Sequence, residues 1–246
     1  MTTLGDTIRG GASGTPERVA VGSSGQVLTV VAGVPAWADL WSTLQSSDPM
    51  TGAGWSAFGV SGTGSAAWAS SKLTISTTGL GAGAGGYDDT TYITDADSYD
   101  IAARIDFVSG DGAAGNVYCG LFVGATVAST CVALVVYADH TIRAEYRSGG
   151  TTTLANIAGP DSAALTGGQL WLRIKRTPTA VAYSWGVGVA GALPTSWTTV
   201  WVSVLPVALN AAAGAHVLLY AEDVAGATAL TVDVLAIRTA IEGAPL

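Results

Sequence analysis

The sequence LWLRIKR at residues 170–176 decides the fold, because its apolar residues recur at every second position. Leu170, Leu172 and Ile174 share one face of an extended chain, while Arg173 and Lys175 share the other face. Residues 101–107, IAARIDF, show the same alternation. A period of two indicates β-strands that bury one face and expose the other.

Strands of this kind are predicted along most of the chain after residue 48. They are separated by turn sequences such as SGDG at residues 109–112 and SGG at residues 148–150, in which glycine permits positive φ. The strands are predicted at residues 55–58, 67–68, 72–76, 99–108, 117–123, 131–137, 141–146, 152–157, 169–176, 180–189, 198–204, 215–222 and 228–238. This succession predicts an all-β fold, a two-sheet antiparallel β-sandwich or jelly roll, over residues 48–246.

Two features between these strands lead to further predictions. Residues 77–86, TTGLGAGAGG, are so rich in glycine that a loop is expected there. Cys119 and Cys131 flank a predicted hairpin centred near Ala125, where they could face each other across the strands. Assembly in the cytoplasm favours two buried free thiols, and a disulfide formed after release is the alternative.

The strand at residues 170–176 begins a longer motif. It is followed by a turn at residues 177–179, by AYSW at residues 182–185 and by SWT at residues 196–198. This run resembles the back-sheet strands of concanavalin A-like lectin and glucanase domains. The resemblance covers about 30 residues, and it implies a sandwich fold more than any particular function.

The amino-terminal part of the chain has a different pattern. Residues 19–21 and 27–31 are short apolar runs separated by Gly-Ser-Ser-Gly, and a Gly-Val-Pro turn follows the second run. They predict two short strands, which cannot form a stable core alone and therefore need partners. Residues 1–14 are predicted to be an extended arm, and residues 38–47 a short helix or a turn.

Residues 5–8, 10–14, 18–22 and 25–37 together resemble a module of bacteriophage tail fibres and related appendages. The resemblance implies a virion-attachment and oligomerisation module at residues 1–40, a linker at residues 41–47 and a distal domain at residues 48–246. It also implies a homotrimer that contacts other virion proteins. The residues expected to make these contacts are Val19, Val21, Val27, Leu28, Val30, Val34 and Trp37.

The charge and hydropathy of the chain indicate which kinds of partner it can bind. The net charge is −8, and a nucleic-acid-binding surface would need clustered lysine and arginine. Charged residues make up only 11% of the chain and the mean hydropathy is +0.43. No apolar run of about 18 residues is present that would insert into a membrane. We therefore expect the chain to bury surface against copies of itself, and the alternative is a monomer covered by small residues.

Catalytic motifs are weak. A glucanase of this class would carry carboxylates at alternate positions of one strand, and none of the glutamates lies in such a run. Carboxylates converging from separate strands are the alternative, with Asp106, Glu145 and the pair Glu222 and Asp223 as candidates. Adjacent residues of a strand point to opposite faces, so the last two cannot both line one cleft.

Nucleophile and zinc chemistry are also poorly supported. No Gly-x-Ser-x-Gly sequence is followed by a convincing base, and we interpret the two histidines, His140 at a turn and His216 at the start of a strand, as structural. Neither the histidines nor the two cysteines are clustered at ligand spacing. We therefore expect the protein not to be an enzyme.

Residues 88–100 are the one candidate metal site. Their aspartates include Asp95, Asp97 and Asp100, whose oxygens are of the kind that Ca²⁺ prefers. The segment lacks the glycine and the final glutamate of an EF-hand, and a solvated loop is the alternative. No other cofactor is expected.

Exposed aromatic rings would allow glycan binding, because sugar rings stack on them. Tyr87 and Tyr92 are the candidates, since both are predicted to lie in loops, whereas most other large aromatics are expected in the core or at interfaces.

The sequence thus predicts a structural bacteriophage virion protein, a fibre, spike or decoration appendage. It would attach by its amino terminus and display a lectin-like sandwich to host-surface glycans. The amino terminus has no secretory signal pattern, so assembly in the host cytoplasm and location in the virion are expected. The alternatives are a lectin unrelated to virions and, after it, a glycan hydrolase.

Overall fold

The computed structural model divides the chain into two compact units, residues 1–45 and residues 46–246. The described residues are 7–10, 16–19, 26–31, 34–39, 46–48, 50–79, 81–88, 93, 98–110, 117–127, 130–148, 150–177, 180–189, 191–203, 215–224 and 229–242.

The first unit contains two antiparallel hairpins. Strand β1 (Thr7–Gly10) pairs with β2 (Pro16–Val19), and β3 (Gln26–Val31) pairs with β4 (Val34–Asp39). Residues 7–10, which are predicted to belong to an extended arm, form a strand of the first hairpin. The partner of β3 is β4, which begins directly after the predicted Gly-Val-Pro turn, and not the earlier apolar run.

The second unit is built from the remaining elements in chain order. They are β5 (Ser46–Asp48), β6 (Trp55–Ser61), β7 (Ser65–Ala69), β8 (Lys72–Thr77), β9 (Ala82–Asp88), β10 (Ser98–Ser109), β11 (Val117–Gly124), β12 (Cys131–Tyr137), β13 (Thr141–Arg147), β14 (Thr151–Ala158), α1 (Ser162–Thr166), β15 (Leu170–Arg176), β16 (Val181–Val187), β17 (Thr198–Ser203), β18 (His216–Asp223) and β19 (Leu230–Glu242).

These strands form two antiparallel sheets. Sheet one has the order β17-β16-β15-β10-β19-β8-β7, and β5 also pairs with β19. Sheet two has the order β14-β13-β12-β11-β18-β9-β6. The predicted all-β, two-sheet antiparallel sandwich is therefore confirmed.

The main core lies between the sheets. Leu170, Leu172 and Ile174 point into it, as their alternation predicted, and Leu121 and Leu134 meet them from sheet two. Burying each such side chain stabilises the fold by about 1.5–3 kcal/mol. The turn at residues 138–140 includes His140 at φ 67°, a left-handed position in the hairpin between β12 and β13.

Strand β9 contradicts the loop predicted over the glycine-rich segment. The sequence AGAGGYD pairs with β18 on one side and with β6 on the other. A Cβ atom at Gly83 would lie 1.9 Å from the hydroxyl of Tyr220, and one at Gly85 would lie 2.2 Å from the carbonyl oxygen of Leu219. Glycine is needed here because neighbouring groups occupy the space of a side chain, and not because the chain turns.

The two cysteines do not face each other. Cys119 lies opposite Val136, and Cys131 lies opposite Gly124. Cys119 belongs to the core between the sheets, whereas Cys131 packs on the other face of sheet two. Both thiols are free and buried, and burial raises the pKa of each to about 12. A disulfide between them would require a different strand register.

Candidate functional site

Polar and aromatic side chains gather on the face of sheet two that points away from the core. We call them the outer-face cluster, and its members are Tyr118, Tyr137, Arg143, Glu145, Arg147 and Glu222. They alternate along β11, β12, β13 and β18 with residues of the main core, because successive side chains of a strand point to opposite faces.

Strand register brings the cluster together. Tyr118 lies directly opposite Tyr137 on one side and opposite Glu222 on the other, so one row crosses three strands. Glu145 lies opposite the small residue Ala133. The small neighbour leaves room for the long side chain of Arg147 to reach across the sheet.

The two carboxylates are linked through one phenol and one guanidinium. The hydroxyl of Tyr118 donates to Oε2 of Glu222 at 2.6 Å. Nη2 of Arg147 donates to the Tyr118 oxygen at 3.2 Å and to Oε2 of Glu145 at 2.8 Å, and Nε of Arg147 donates to the same carboxylate oxygen at 3.2 Å. Hydrogen bonds therefore link Glu222, Tyr118, Arg147 and Glu145 in that order.

Aromatic rings support this network. The guanidinium of Arg147 lies 4.9 Å from the ring centre of Phe122, and that of Arg143 lies 4.0 Å from the ring centre of Tyr137. The hydroxyl of Tyr137 donates to Oε1 of Glu145 at 3.4 Å. Cations over aromatic faces are attracted by the ring quadrupole, so the rings fix the positions of both arginines.

Burial determines the protonation of the tyrosines. It raises the pKa of Tyr137 to about 12, with a smaller contribution from the Glu145 carboxylate, and it raises the pKa of Tyr118 further above its ordinary value. Both hydroxyls therefore keep their protons at neutral pH. Tyr118 remains a donor to Glu222, and the network keeps one arrangement across the physiological range.

An open cleft of about 340 Å³ lies over the cluster. Glu145 is only 1% exposed and Arg147 only 9%, so they form its floor. Thr151 and Thr153 of the edge strand β14 and the exposed Val224 border it. A buried floor with an open, polar rim can accept a ligand without first unfolding any strand.

Of the carboxylates considered from the sequence, the structure brings together Glu145 and Glu222. Asp106 lies in sheet one, where it accepts a hydrogen bond from the Gly168 amide, and Asp223 is buried next to Glu222 on the core side of β18. The expectation that Glu222 and Asp223 cannot share a cleft is confirmed. The tyrosines and arginines of the cluster were missed, although the alternation at residues 143, 145 and 147 indicates one polar face.

Of the two tyrosines predicted to bind glycans, the structure describes only the backbone of Tyr87. Tyr87 lies in strand β9, not in a loop, and its backbone is opposite Leu218 of β18. Its side chain lies outside the described part, and so does the whole of Tyr92. Both remain predictions.

The predicted calcium site is likewise only partly described. Asp100 is 2% exposed, and its carboxylate accepts hydrogen bonds from Nε of Arg173 at 2.7 Å and from Nη2 of the same residue. Asp95 and Asp97 lie outside the described residues, as does Val21 of the amino-terminal set. Among the side chains that are described, no three His, Cys, Asp or Glu residues come together.

The described residues also line two further clefts. One, of about 380 Å³, is lined by Asp161, Gln169 and Trp185 beside α1. The other, of about 280 Å³, is lined by Phe58, His216 and Leu218. Neither contains a linked set of charged groups like that of the outer-face cluster. In the described part of the chain, no helix has the length and apolar character to cross a membrane.

Comparisons with known proteins establish the fold. The chain matches no protein-family model and no curated protein. Among solved structures it is similar to the exoplasmic/lumenal domain of VIP36 bound to Ca²⁺ and Man₃GlcNAc, with a TM-score of 0.56 and 9% identity over 76% of this chain and 83% of that one.

A second similarity is to lectin I-B4 from Griffonia simplicifolia in its metal-free form. The TM-score is 0.51, with 10% identity over 80% of this chain and 98% of the lectin. A similarity at such low identity shows the fold alone. The sandwich of residues 46–246 thus has the fold of concanavalin A-like lectins, as the motif beginning at residue 170 predicted.

Proposed function

We propose that the sandwich binds carbohydrate through the outer-face cluster. The observation that carries the proposal is the linked set of Glu222, Tyr118, Arg147 and Glu145 beneath an open cleft on one sheet face. A buried polar group without a hydrogen-bond partner costs free energy. A set of buried polar groups that bond to one another beneath an open cleft therefore suits a recognition site.

The chemistry of the cluster fits sugars. Hydroxyl groups of a sugar both donate and accept, and the cleft presents carboxylate acceptors beside guanidinium donors. Aromatic rings near these groups can contact the apolar faces of a sugar ring. Because Tyr118 and Arg147 are already fixed by their partners, little ordering entropy is lost when a ligand binds.

The names of the similar structures support the same ligand class. The VIP36 domain is described with Man₃GlcNAc and calcium bound, and the Griffonia protein is named a lectin. We extend the proposal to Tyr87 and Tyr92 as further glycan contacts. Calcium bound by Asp95, Asp97 and Asp100 stays part of the proposal, as a structural ion.

Binding is proposed without turnover. A glycosidase needs one carboxylic acid that gives its proton to the leaving group. In the cluster, Tyr118 donates to Glu222 and Arg147 donates to Glu145, so each carboxylate is held as an acceptor. This arrangement favours a lectin over a hydrolase.

Replacing Glu222 with glutamine tests the site. The change keeps an acceptor for Tyr118 but removes the charge, so glycan affinity should fall by about 10-fold or more, since hydrogen bonds to charged groups contribute about 1.5–3 kcal/mol. A glycan array with the full chain would identify ligands, and titration calorimetry would measure the variant. Each titration is run with excess calcium and with chelator.

Asp161→Asn is the matched control, because it makes the same chemical change in the cleft beside α1 and keeps an N-cap side chain. Affinity should not change in this variant. If Asp161→Asn abolished binding while Glu222→Gln did not, the site would lie beside α1. Absence of binding to every glycan would contradict carbohydrate recognition itself.

We further propose that residues 1–40 join the protein to a bacteriophage virion, as a homotrimer whose sandwich faces host-surface glycans. The support is the fibre-module resemblance together with two separate hairpins in a unit distinct from the sandwich. Short hairpins are marginal alone, so contacts of Val19, Val27, Leu28, Val30, Val34 and Trp37 with neighbouring chains would stabilise them.

Deleting residues 1–40 tests this attachment. The truncated chain should fold and keep its glycan affinity, but it should no longer be incorporated into particles made in the host cytoplasm. Immunogold labelling of purified virions and sedimentation of the free chain measure the two effects. Incorporation of the truncated chain, or a full chain that sediments as a monomer and labels no virion, would contradict the proposal.

A further inference from the structure

We infer that the outer-face cluster selects acidic carbohydrates, and that Arg143 binds their anionic group. The inference rests on the proposed function, because it names the class of glycan that the same cleft takes.

Two of the four charges in the cluster form an ion pair, and the carboxylate of Glu222 is bonded to a neutral phenol. The guanidinium of Arg147 forms a salt bridge with Glu145, which is buried, and the carboxylate of Glu222 accepts from Tyr118. Arg143 differs. Within the described residues its guanidinium has no carboxylate partner, and its Nε is buried without a hydrogen bond. Among the described residues, Arg143 is therefore the guanidinium of the cleft that has no ion-pair partner.

This charge is held in place. The Arg143 guanidinium lies 4.0 Å from the ring centre of Tyr137, and the hydroxyl of that tyrosine is bound to Glu145. Strand β13 fixes the backbone on both sides, because it pairs with β12 and β14. An arginine that is half-buried and stacked loses less entropy when it binds an anion than one on an open surface.

The geometry of guanidinium fits a planar or tetrahedral anion. Its N–H groups form two parallel hydrogen bonds with a carboxylate, and they also bind the oxygens of a sulfate ester. Glu222, which lines the same cleft, would repel a ligand of uniform negative charge but would accept hydroxyl donors. The cleft therefore suits a sugar that carries one anion among several hydroxyls.

The charges that line the cleft also disfavour binding of nucleic acid. Binding a phosphate backbone needs several cations along a track, whereas this cleft has one unmatched arginine in a chain of net charge −8. The two sources of the anion that remain are a sugar carboxylate and a sugar sulfate. Their shared chemistry is a singly charged group next to ring hydroxyls.

The test compares matched sugars on the full chain. The three sugars share a lactose unit: lactose is neutral, 3′-sialyllactose adds a sugar with a carboxylate, and 3′-sulfated lactose adds a sulfate. An array adds uronic-acid oligomers. We expect acidic forms to bind more tightly than neutral ones, and Arg143→Gln to weaken acidic binding by about 10- to 100-fold. Arg143→Lys should recover part of the loss, because it keeps the charge.

Arg238→Gln is the control, since it removes a half-buried arginine from β19 in the other sheet. Thermal unfolding of each variant shows whether the fold is kept. Equal affinity for neutral and acidic sugars, or no effect of Arg143→Gln in a folded protein, would overturn the inference and leave carbohydrate binding intact. If no sugar bound at all, the proposed function would fail, and the inference with it.

Discussion

Replacing Arg147 with methionine is expected to destabilise the sandwich by about 3–5 kcal/mol. The change leaves the carboxylate of Glu145, which is 1% exposed, without its ionic partner. It also removes the donor to Tyr118 and the hydrogen bond from Nη1 to the carbonyl oxygen of Val127, at 3.1 Å. Urea unfolding followed by tryptophan fluorescence would measure the loss.

The double variant Arg147→Met with Glu145→Leu is the decisive comparison. With both charges removed, no buried carboxylate is left unpaired, and most of the stability should return. If the single variant lost less than about 1 kcal/mol, Glu145 would have to be solvated, and Glu145 and Arg147 would not form a buried floor of the cleft.

The second large effect is expected from Gly85→Ala in strand β9. A Cβ atom at this position would lie 2.2 Å from the carbonyl oxygen of Leu219 and 2.9 Å from Cε1 of Phe58. The carbonyl belongs to the neighbouring strand β18, so the contact is relieved only by moving backbone. Overpacking costs typically about 1–3 kcal/mol and more where backbone must shift, and we expect the upper end of that range.

Gly150→Ala is the matched control, because a Cβ atom there meets nothing within 4 Å. Its free energy of unfolding should stay within about 0.5 kcal/mol of the parent. If the two alanine variants unfolded at the same urea concentration, strand β9 would not lie between β6 and β18.

The sequence allows the architecture of the sandwich to be predicted where one face of a strand is buried. Leu170, Leu172 and Ile174 alternate with polar or large residues, and the structure places them in the core. Strand β12, CVALVVY, is buried on both faces because the aromatic side chains of sheet two cover its outer side. Its continuous apolar run still indicates a strand, but it does not reveal which residues face the cleft.

The sequence-based prediction was wrong for β9, where contacts with other strands outweigh the local preference of glycine for loops. The sequence predicts a loop for the glycines of β9 because glycine disfavours strands. In the folded chain, Tyr220 and Phe58 lie where side chains at Gly83 and Gly85 would be. Tyr220 is more than a hundred positions from Gly83 and Phe58 lies in a different strand from Gly85, so no pattern within the segment shows these contacts.

The candidate site shows the same limit. Glu145 and Glu222 were recognised as carboxylates that could converge, but their convergence depends on β11 lying between β12 and β18. Strand order is a property of the whole fold, and it also determines that Tyr118 bridges toward both carboxylates. The misplaced cysteine pair has the same origin, because register decides which residues meet across β11 and β12.

Strand β19 also determines when the sandwich can form during synthesis. It lies between β10 and β8 in sheet one, and those two strands do not pair with each other. Until residues 230–242 leave the ribosome, no strand joins the β10 side of sheet one to its β8 side. Closing it joins segments more than a hundred residues apart, which makes folding slow and late. The nascent chain therefore has to keep its apolar strands from aggregating until the last strand of the sandwich arrives.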